Sequence, residues 1–237
     1  MFLHLIKTLI QIETMKRTVL SVAIVATSLF ALSCKHNPKN QMACNAQDSV
    51  MVENIQYVIV AEEQSSANNK AYSEKAAAEK HNNVAKLFTA KAKADSLRAE
   101  KHKAVLAKMV DTTKLPARPA PKKVVPKSTP ENLKQSINDD EYQITIVYPN
   151  YIEQAVLAGD SMVVTTLQWA ADARANDKNY GMAVLETVSK NGNDTEVSEV
   201  WFVCPQCGSI ADSISTSGTN SCGMCGVVED DFIVVKN

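Results

Sequence analysis

The chain has little glycine, seven residues in 237, and none is arranged as a phosphate-cradling loop. It also has no nucleophile set beside a general base in a hydrolase pattern. Histidine is scarce, with only His4, His36, His81 and His102. Net charge is −1, and lysines in an alanine-rich helix usually form a solvated face, so no nucleic-acid partner is expected. After Leu32 no apolar run approaches the length that spans a bilayer. These absences remove phosphate-loop enzymes, hydrolases and polytopic membrane proteins from consideration.

Cysteine carries the one strong chemical signal. Cys204-Pro205-Gln206-Cys207-Gly208 and Cys222-Gly223-Met224-Cys225-Gly226 form a CxxC pair of pairs. A CxxC turn folds two thiolates onto one side of a loop, and two facing turns supply four sulfurs in a tetrahedron. Two disulfides are the alternative, although a two-residue spacer suits metal knuckles better. Four thiolates fit zinc or a single iron, and spacing does not separate them. Gly208 and Gly226 are expected to take positive φ and turn backbone N–H groups toward the sulfurs.

The N-terminal region reads as a targeting segment. Lys16-Arg17 precede an apolar run from Val19 to Leu32, and Met15 just before them looks like an alternative initiator. Phe30-Ala31-Leu32-Ser33-Cys34 resembles a bacterial lipoprotein signal with its lipobox, which implies removal of residues 1–33 and lipidation of Cys34. An uncleaved membrane helix is the alternative. Both place the body outside the cytoplasm at a lipid bilayer. Residues 34–48 then form a polar tether, with Cys44 left without an assigned role.

The body divides by periodicity. Val52, Ile55, Ile59 and Glu63 share a helical face from Ser49 onward, and a break at Lys80–Asn83 precedes a second helix over Val84–Val110. The crossover, residues 111–129, is rich in proline and lysine and reads as an extended connector. Thr129 reads as the N-cap of a third helix with Pro130 at its first position, ending at Gly159 and bending near Pro149. A fourth helix begins at Asp160 or Ser161 and ends near Gly192. Residues 61–130 hold 15 basic and 7 acidic side chains and residues 131–237 hold 5 and 16, so the two halves should attract. Residues 49–192 are thus expected to form a ferritin-like four-helix bundle with one long crossover. Residues 197–237, β-branched and aromatic around the knuckles, form a small β domain with too little core to fold without its metal. The fold class is mainly α with this small β metal domain.

This order of parts resembles the rubrerythrin family, a di-iron four-helix bundle followed by a rubredoxin-like domain. The resemblance spans about Val52 to Val235. It is carried most specifically by Thr129-Pro130-Glu131-Asn132-Leu133, Tyr148-Pro149 and Val200-Trp201-Phe202-Val203-Cys204. It implies a single iron on Cys204, Cys207, Cys222 and Cys225, a redox partner, and a homodimer, since the family commonly dimerises through its bundles.

The resemblance also shows a departure. Family members hold two irons with carboxylates from all four helices and Glu-x-x-His pairs on the second and fourth, because residues i and i+3 share a face. No Glu-x-x-His occurs in this chain. The family positions fall on Glu63, on Asp95 and Arg98, and on Asp140 and Gln143, and those of the fourth helix fall within Ala171–Asn176. Two readings follow: an altered site on Glu63, Asp95 and Asp140, or a core in which Arg98, with Arg174, takes the place of metal charge. The functional expectation is one-electron transfer at a membrane-tethered four-cysteine iron centre, with the peroxidase site lost. A zinc-stapled interaction module is the alternative, and an active peroxide reductase ranks last. The tyrosines and Trp169 are expected in the bundle core or at its boundary, and Trp201 against the knuckles.

Overall fold

The computed structural model describes residues 38–213 and 221–236. The chain divides into two units, Met1–Val50 and Met51–Asn237, and the second holds the helical core and the knuckles. Cys34 and the apolar run before it lie outside the described residues. No described helix is long and apolar enough to cross a membrane.

Helix α1 spans Pro38–Ala78 and α2 spans Asn82–Met109. The polar stretch from Pro38, expected to be an aperiodic tether, is therefore already helical. Lys80, at φ 66°, makes the reversal between the two helices. The connector includes one 3₁₀ turn, Thr112–Lys114, and returns along α1. Lys122 N–H donates to Gln64 Oε1 at 2.7 Å, and the N–H and hydroxyl of Thr129 both donate to Glu79 Oε2, at 2.8 and 2.7 Å. Extended proline-rich backbone cannot satisfy itself, so these polar side chains of α1 hold it.

Helix α3 (Thr129–Tyr142) is capped by Ser128, one residue earlier than the sequence suggests, and Glu131 accepts from Ser128 N–H at 3.2 Å. A π-turn, Gln143–Val147, leads directly into α4 (Tyr148–Ala158). It precedes Pro149 and absorbs the missing proline N–H, where a simple bend was expected. Gly159, at φ 74°, closes α4. Asp160 then caps α5 (Ser161–Asn191), accepting from the N–H groups of Met162 and Val163 at 3.1 and 3.0 Å.

Three short strands follow: β1 (Trp201–Val203), β2 (Ile210–Ala211) and β3 (Ile233–Val235), in the antiparallel order β2-β1-β3. Strand period puts Trp201 and Val203 on one face, and both are buried. That face joins an apolar cluster with Val84, Leu87 and Phe88 of α2, Leu133 of α3 and Val184 of α5. A second cluster holds Met51, Ile55, Ile59, Leu106, Val163 and Leu167. Between the two lies a buried polar layer.

Candidate metal centre and buried charge layer

The two knuckles are built alike. Gly208 and Gly226 take φ of 73° and 75°, and their N–H groups donate to the Cys204 and Cys222 carbonyls at 3.0 and 2.8 Å. Their N–H groups thus close the turns instead of facing sulfur. The sulfurs receive other donors: Gln206 and Cys207 N–H at Cys204, Ser209 at Cys207, and Met224 and Cys225 at Cys222. The four Sγ atoms lie within 4.8 Å of one another, with Cys204–Cys225 at 3.5 Å and Cys207–Cys222 at 3.6 Å. A tetrahedron of about 2.3 Å metal–sulfur bonds has edges of about 3.8 Å, so the set fits a four-coordinate ion. Both short contacts far exceed a disulfide bond of about 2.05 Å and run from knuckle to knuckle. Among the described residues these four cysteines are the only group of three or more His, Cys, Asp or Glu side chains gathered closely enough to share an ion.

The bundle core shows a different chemistry. Glu62, Asp95, Asp140 and Asp177 are buried there together with Lys91, Arg98 and Arg174. Arg98 Nε donates to Glu62 Oε2 at 3.1 Å, and its Nη2 donates to Asp177 at 3.0 Å and to Asp95. Arg174 grips Glu62 through Nε at 2.9 Å, Asp140 through Nη1 at 2.8 Å and Ser65 Oγ at 3.1 Å. Lys91 Nζ bonds Asp140 at 2.5 Å, and Tyr148 O–H donates to Glu62 at 2.7 Å. Guanidinium suits this role because its fork engages several carboxylates at once.

Four carboxylates face three cations, leaving one negative charge in excess. Burial disfavours the Glu62 carboxylate, but Arg174 and Arg98 overcome it and hold the group at about 2. Burial pushes Asp95 up to about 7 despite its two arginines, with Glu62 and Asp177 adding to the rise. Asp177 is also raised, chiefly by burial. The excess proton therefore belongs to the Asp95–Asp177 pair as a unit. Burial holds His102 neutral, at about 4.

Of the positions expected from sequence, Asp95, Arg98 and Asp140 meet in this layer, and Gln143, three residues after Asp140, is buried with its Oε1 unpartnered. Glu63 does not join it. It points outward to Lys103 at 2.8 Å, and Glu62 takes the core position, seven residues and nearly two whole turns after Ile55. Lys91, Tyr148, His102 and Asp177 were missed as members. Asp177 lies one residue beyond the Ala171–Asn176 window. A readable signal was present: Asp95-x-x-Arg98 on α2 is mirrored by Arg174-x-x-Asp177 on α5, the same i, i+3 spacing as the absent Glu-x-x-His pairs. The tryptophans are exchanged relative to expectation. Trp201 packs in the bundle-facing cluster with its ring 5.0 Å from that of Tyr180, whereas Trp169 packs against the cysteines.

One contact joins the two sites. Arg98 Nη1 donates to the Gly208 carbonyl at 3.0 Å, so the same guanidinium serves the charge layer and the first knuckle. Gly208 packs so closely that an added Cβ would lie 2.9 Å from Arg98 Cγ and 3.0 Å from the Ala94 carbonyl oxygen, whereas one at Gly226 meets nothing within 4 Å. Both positions are left-handed, at about 1–2 kcal/mol for a residue with Cβ. Gly208→Ala is therefore expected to cost about 2–4 kcal/mol in urea unfolding and Gly226→Ala only about 1–2. Equal losses would show that the approach to α2 is not tight.

The family model described as rubrerythrin matches residues 53–174. No curated protein matches the chain. Among solved structures, fully reduced, all-ferrous nigerythrin is 23% identical with a TM-score of 0.68, and the match covers 78% of this chain and 86% of that one. Mixed-valent nigerythrin gives the same identity and coverage with a TM-score of 0.67. An open-pore ferritin from the hyperthermophilic archaeon Archaeoglobus fulgidus is 16% identical with a TM-score of 0.52, covering 62% of this chain and 88% of that one. At these identities the structural likenesses speak to the fold alone. The family match spans more than half of the sequence, with the four-cysteine cluster following it, and this protein belongs to the rubrerythrin family.

Proposed function

We propose that this protein is a membrane-tethered one-electron carrier whose working centre is a single iron on Cys204, Cys207, Cys222 and Cys225, and that its bundle has given up the family's di-iron site. The observation that carries the second half is the charge layer, where Arg98, Arg174 and Lys91 lie among the carboxylates that would otherwise hold metal. A guanidinium gripping two or three buried carboxylates supplies the neutralisation those groups need. The neutral, fully buried His102 contacts Tyr148 oxygen at 3.4 Å rather than any carboxylate cluster. Loss of the paired irons removes the peroxide-reducing step and leaves metal binding and electron relay.

Iron bound by four thiolates supplies a one-electron couple between Fe³⁺ and Fe²⁺. The chain's own contribution is to hold the sulfurs in a fixed tetrahedron, direct backbone N–H groups at them, and bury three of the four cysteines. Lipidation at Cys34 places the body at a bilayer, facing the periplasm or exterior, where a redox partner meets it. A homodimer built through the bundles is part of the same proposal.

Natively purified protein tests this reading. It is expected to be coloured, to bleach reversibly on one-electron reduction, and to contain about one iron per chain. Two additional irons per chain, lost on replacing Glu62, would overturn the di-iron-free bundle. A colourless protein with one zinc per chain would leave the knuckles as a structural staple and end the electron-transfer proposal.

A further inference from the structure

Arg98 serves two sites with one guanidinium. Its Nη1 donates to the carbonyl of Gly208, the residue after Cys207, at 3.0 Å, while its Nη2 donates to Asp95 and, at 3.0 Å, to Asp177. The two aspartates therefore share one nitrogen. Asp95 is well supplied as a carboxylate, because Asn69 Nδ2 donates to its other oxygen at 2.7 Å. Asp177 is not, since its Oδ1 is buried and has no hydrogen-bond partner. An ionised oxygen there would bear the full cost of lost hydration, whereas a neutral carboxyl bears much less. This agrees with the charge count of the layer, in which one proton evens the balance between the carboxylates and the three cations.

The layer around the pair draws on all five helices. Glu62 comes from α1, Lys91, Arg98 and the neutral His102 from α2, Asp140 with its partly buried neighbour Asp139 from α3, Tyr148 from α4 and Arg174 from α5. Lys91 is bonded to Asp140, and Arg174 to Asp140 and Glu62. Arg98 is thus the cation hydrogen-bonded to both members of the pair. Reduction of an iron held by four thiolates adds one negative charge beside the first knuckle, where the other arm of the same guanidinium ends. The pair then faces an added negative charge and a cation drawn toward the knuckle, and both effects favour the neutral carboxyl.

We propose that electron uptake at the four-cysteine centre is coupled to proton uptake by the Asp95–Asp177 pair, with Arg98 as the link between them. The electron comes from the redox partner and takes iron from Fe³⁺ to Fe²⁺, and the proton comes from solvent and converts one carboxylate of the pair to its acid. Oxidation returns both. This rests on the reading of the knuckles as an iron centre above a bundle without irons, and it gives the charge layer a role in the redox step. Arg98 and the pair touch no electron donor or acceptor themselves, so they act as positioning and tuning groups.

The test uses the full chain carrying iron at the knuckles, reconstituted with iron if the purified protein holds zinc, with its iron content counted first. Its midpoint potential is then measured at equilibrium across the range from about pH 5 to about pH 9. A unit charge added one guanidinium away, in an interior of effective dielectric constant about 20, changes a proton affinity about tenfold. The potential is therefore expected to be higher at low pH and to fall by about 59 mV in all as pH rises through neutrality, the equivalent of that tenfold change. Asp95→Asn and Asp177→Asn, each of which removes the excess charge, should both give a flat potential. Glu63→Gln, outside the layer, should keep the fall. Reduced-minus-oxidised infrared spectra should gain a protonated-carboxyl C=O band in the parent and lack it in both aspartate variants. A flat potential in the single-iron parent, or an undiminished fall in both aspartate variants, would overturn the coupling and leave the one-electron carrier standing. Two further irons in the bundle would overturn both readings, because the layer could not then pair its carboxylates with Arg98 and Arg174.

Discussion

Arg174→Met is expected to destabilise the protein by about 3–5 kcal/mol at pH 8, read as the shift in urea unfolding. Methionine fills a similar volume, so the loss measures charge rather than space. Removing the guanidinium leaves two cations for four buried carboxylates, and Glu62, Asp140 and Ser65 each lose a donor. Asp95→Asn should behave in the opposite way, because it removes the excess negative charge. Asn69 donates to Asp95 Oδ2 at 2.7 Å, and its amide turns over to accept from the new side chain.

The sign of the pH dependence follows from the directions of shift. The folded-state Asp95 carboxyl, at about 7, is raised above its ordinary 3.8. Its favourable contribution is full below about pH 4 and is lost as pH rises through 7. His102, lowered to about 4, and Glu62, lowered to about 2, run the other way, contributing above their ordinary values and losing that contribution as pH falls. The difference between Asp95→Asn and the parent should therefore grow in favour of the variant between pH 4 and 7 and level off above. A flat difference would place the proton elsewhere. Arg174→Met within about 1 kcal/mol of the parent would mean that the carboxylates find another neutralising charge, such as a bound cation.

Removal of the knuckle metal is the second large effect. The small domain has strands of only three, two and three residues, and its buried side chains Trp201, Val203 and Ile210 belong to the cluster shared with α2. Structural tetrathiolate sites contribute on the order of 10 kcal/mol to folding, so a strong chelator, or Cys207→Ser, is expected to unfold residues 201–235. Both tryptophans report this, since Trp201 lies in β1 and Trp169 packs on the cysteines. Their emission should shift to longer wavelength while most far-ultraviolet helix signal persists. The bundle should then unfold at lower urea, because Val84, Leu87 and Phe88 lose their cover and Arg98 loses the Gly208 carbonyl. Unchanged tryptophan emission after metal removal would show that the domain holds itself together without the ion.

The sequence by itself determined the parts whose information is local. CxxC spacing declared a four-sulfur site, a proline-dense stretch declared the crossover, and Gly159 and Gly192 marked helix ends through the left-handed conformation that glycine accepts. The ferritin-like bundle followed from two helix pairs joined by one long connection. The charge layer was only half legible. Asp95, Arg98 and Asp140 were found because they occupy family positions, but the choice between Glu62 and Glu63 turned on one residue of helical phase. Adjacent residues differ by 100° around a helix, and the apolar run before them did not fix the phase closely enough. Asp177 was legible through the Arg174-x-x-Asp177 spacing, whereas Lys91 was invisible because its role depends on Asp140, 49 positions away in the chain.

Only the tertiary structure decided which charges meet, and that the small domain sits on its own bundle. Arg98 reaches Gly208, 110 positions later, because Gly208 lacks a side chain and packs directly on α2. The same packing sends Trp201 toward the bundle and brings Trp169 to the cysteines, an exchange that no local pattern encodes. Spacing along the chain reports what one loop or one helical turn does. Which guanidinium neutralises which carboxylate depends on the packing of four helices and a sheet, where burial makes every unpaired charge costly and so selects a single arrangement.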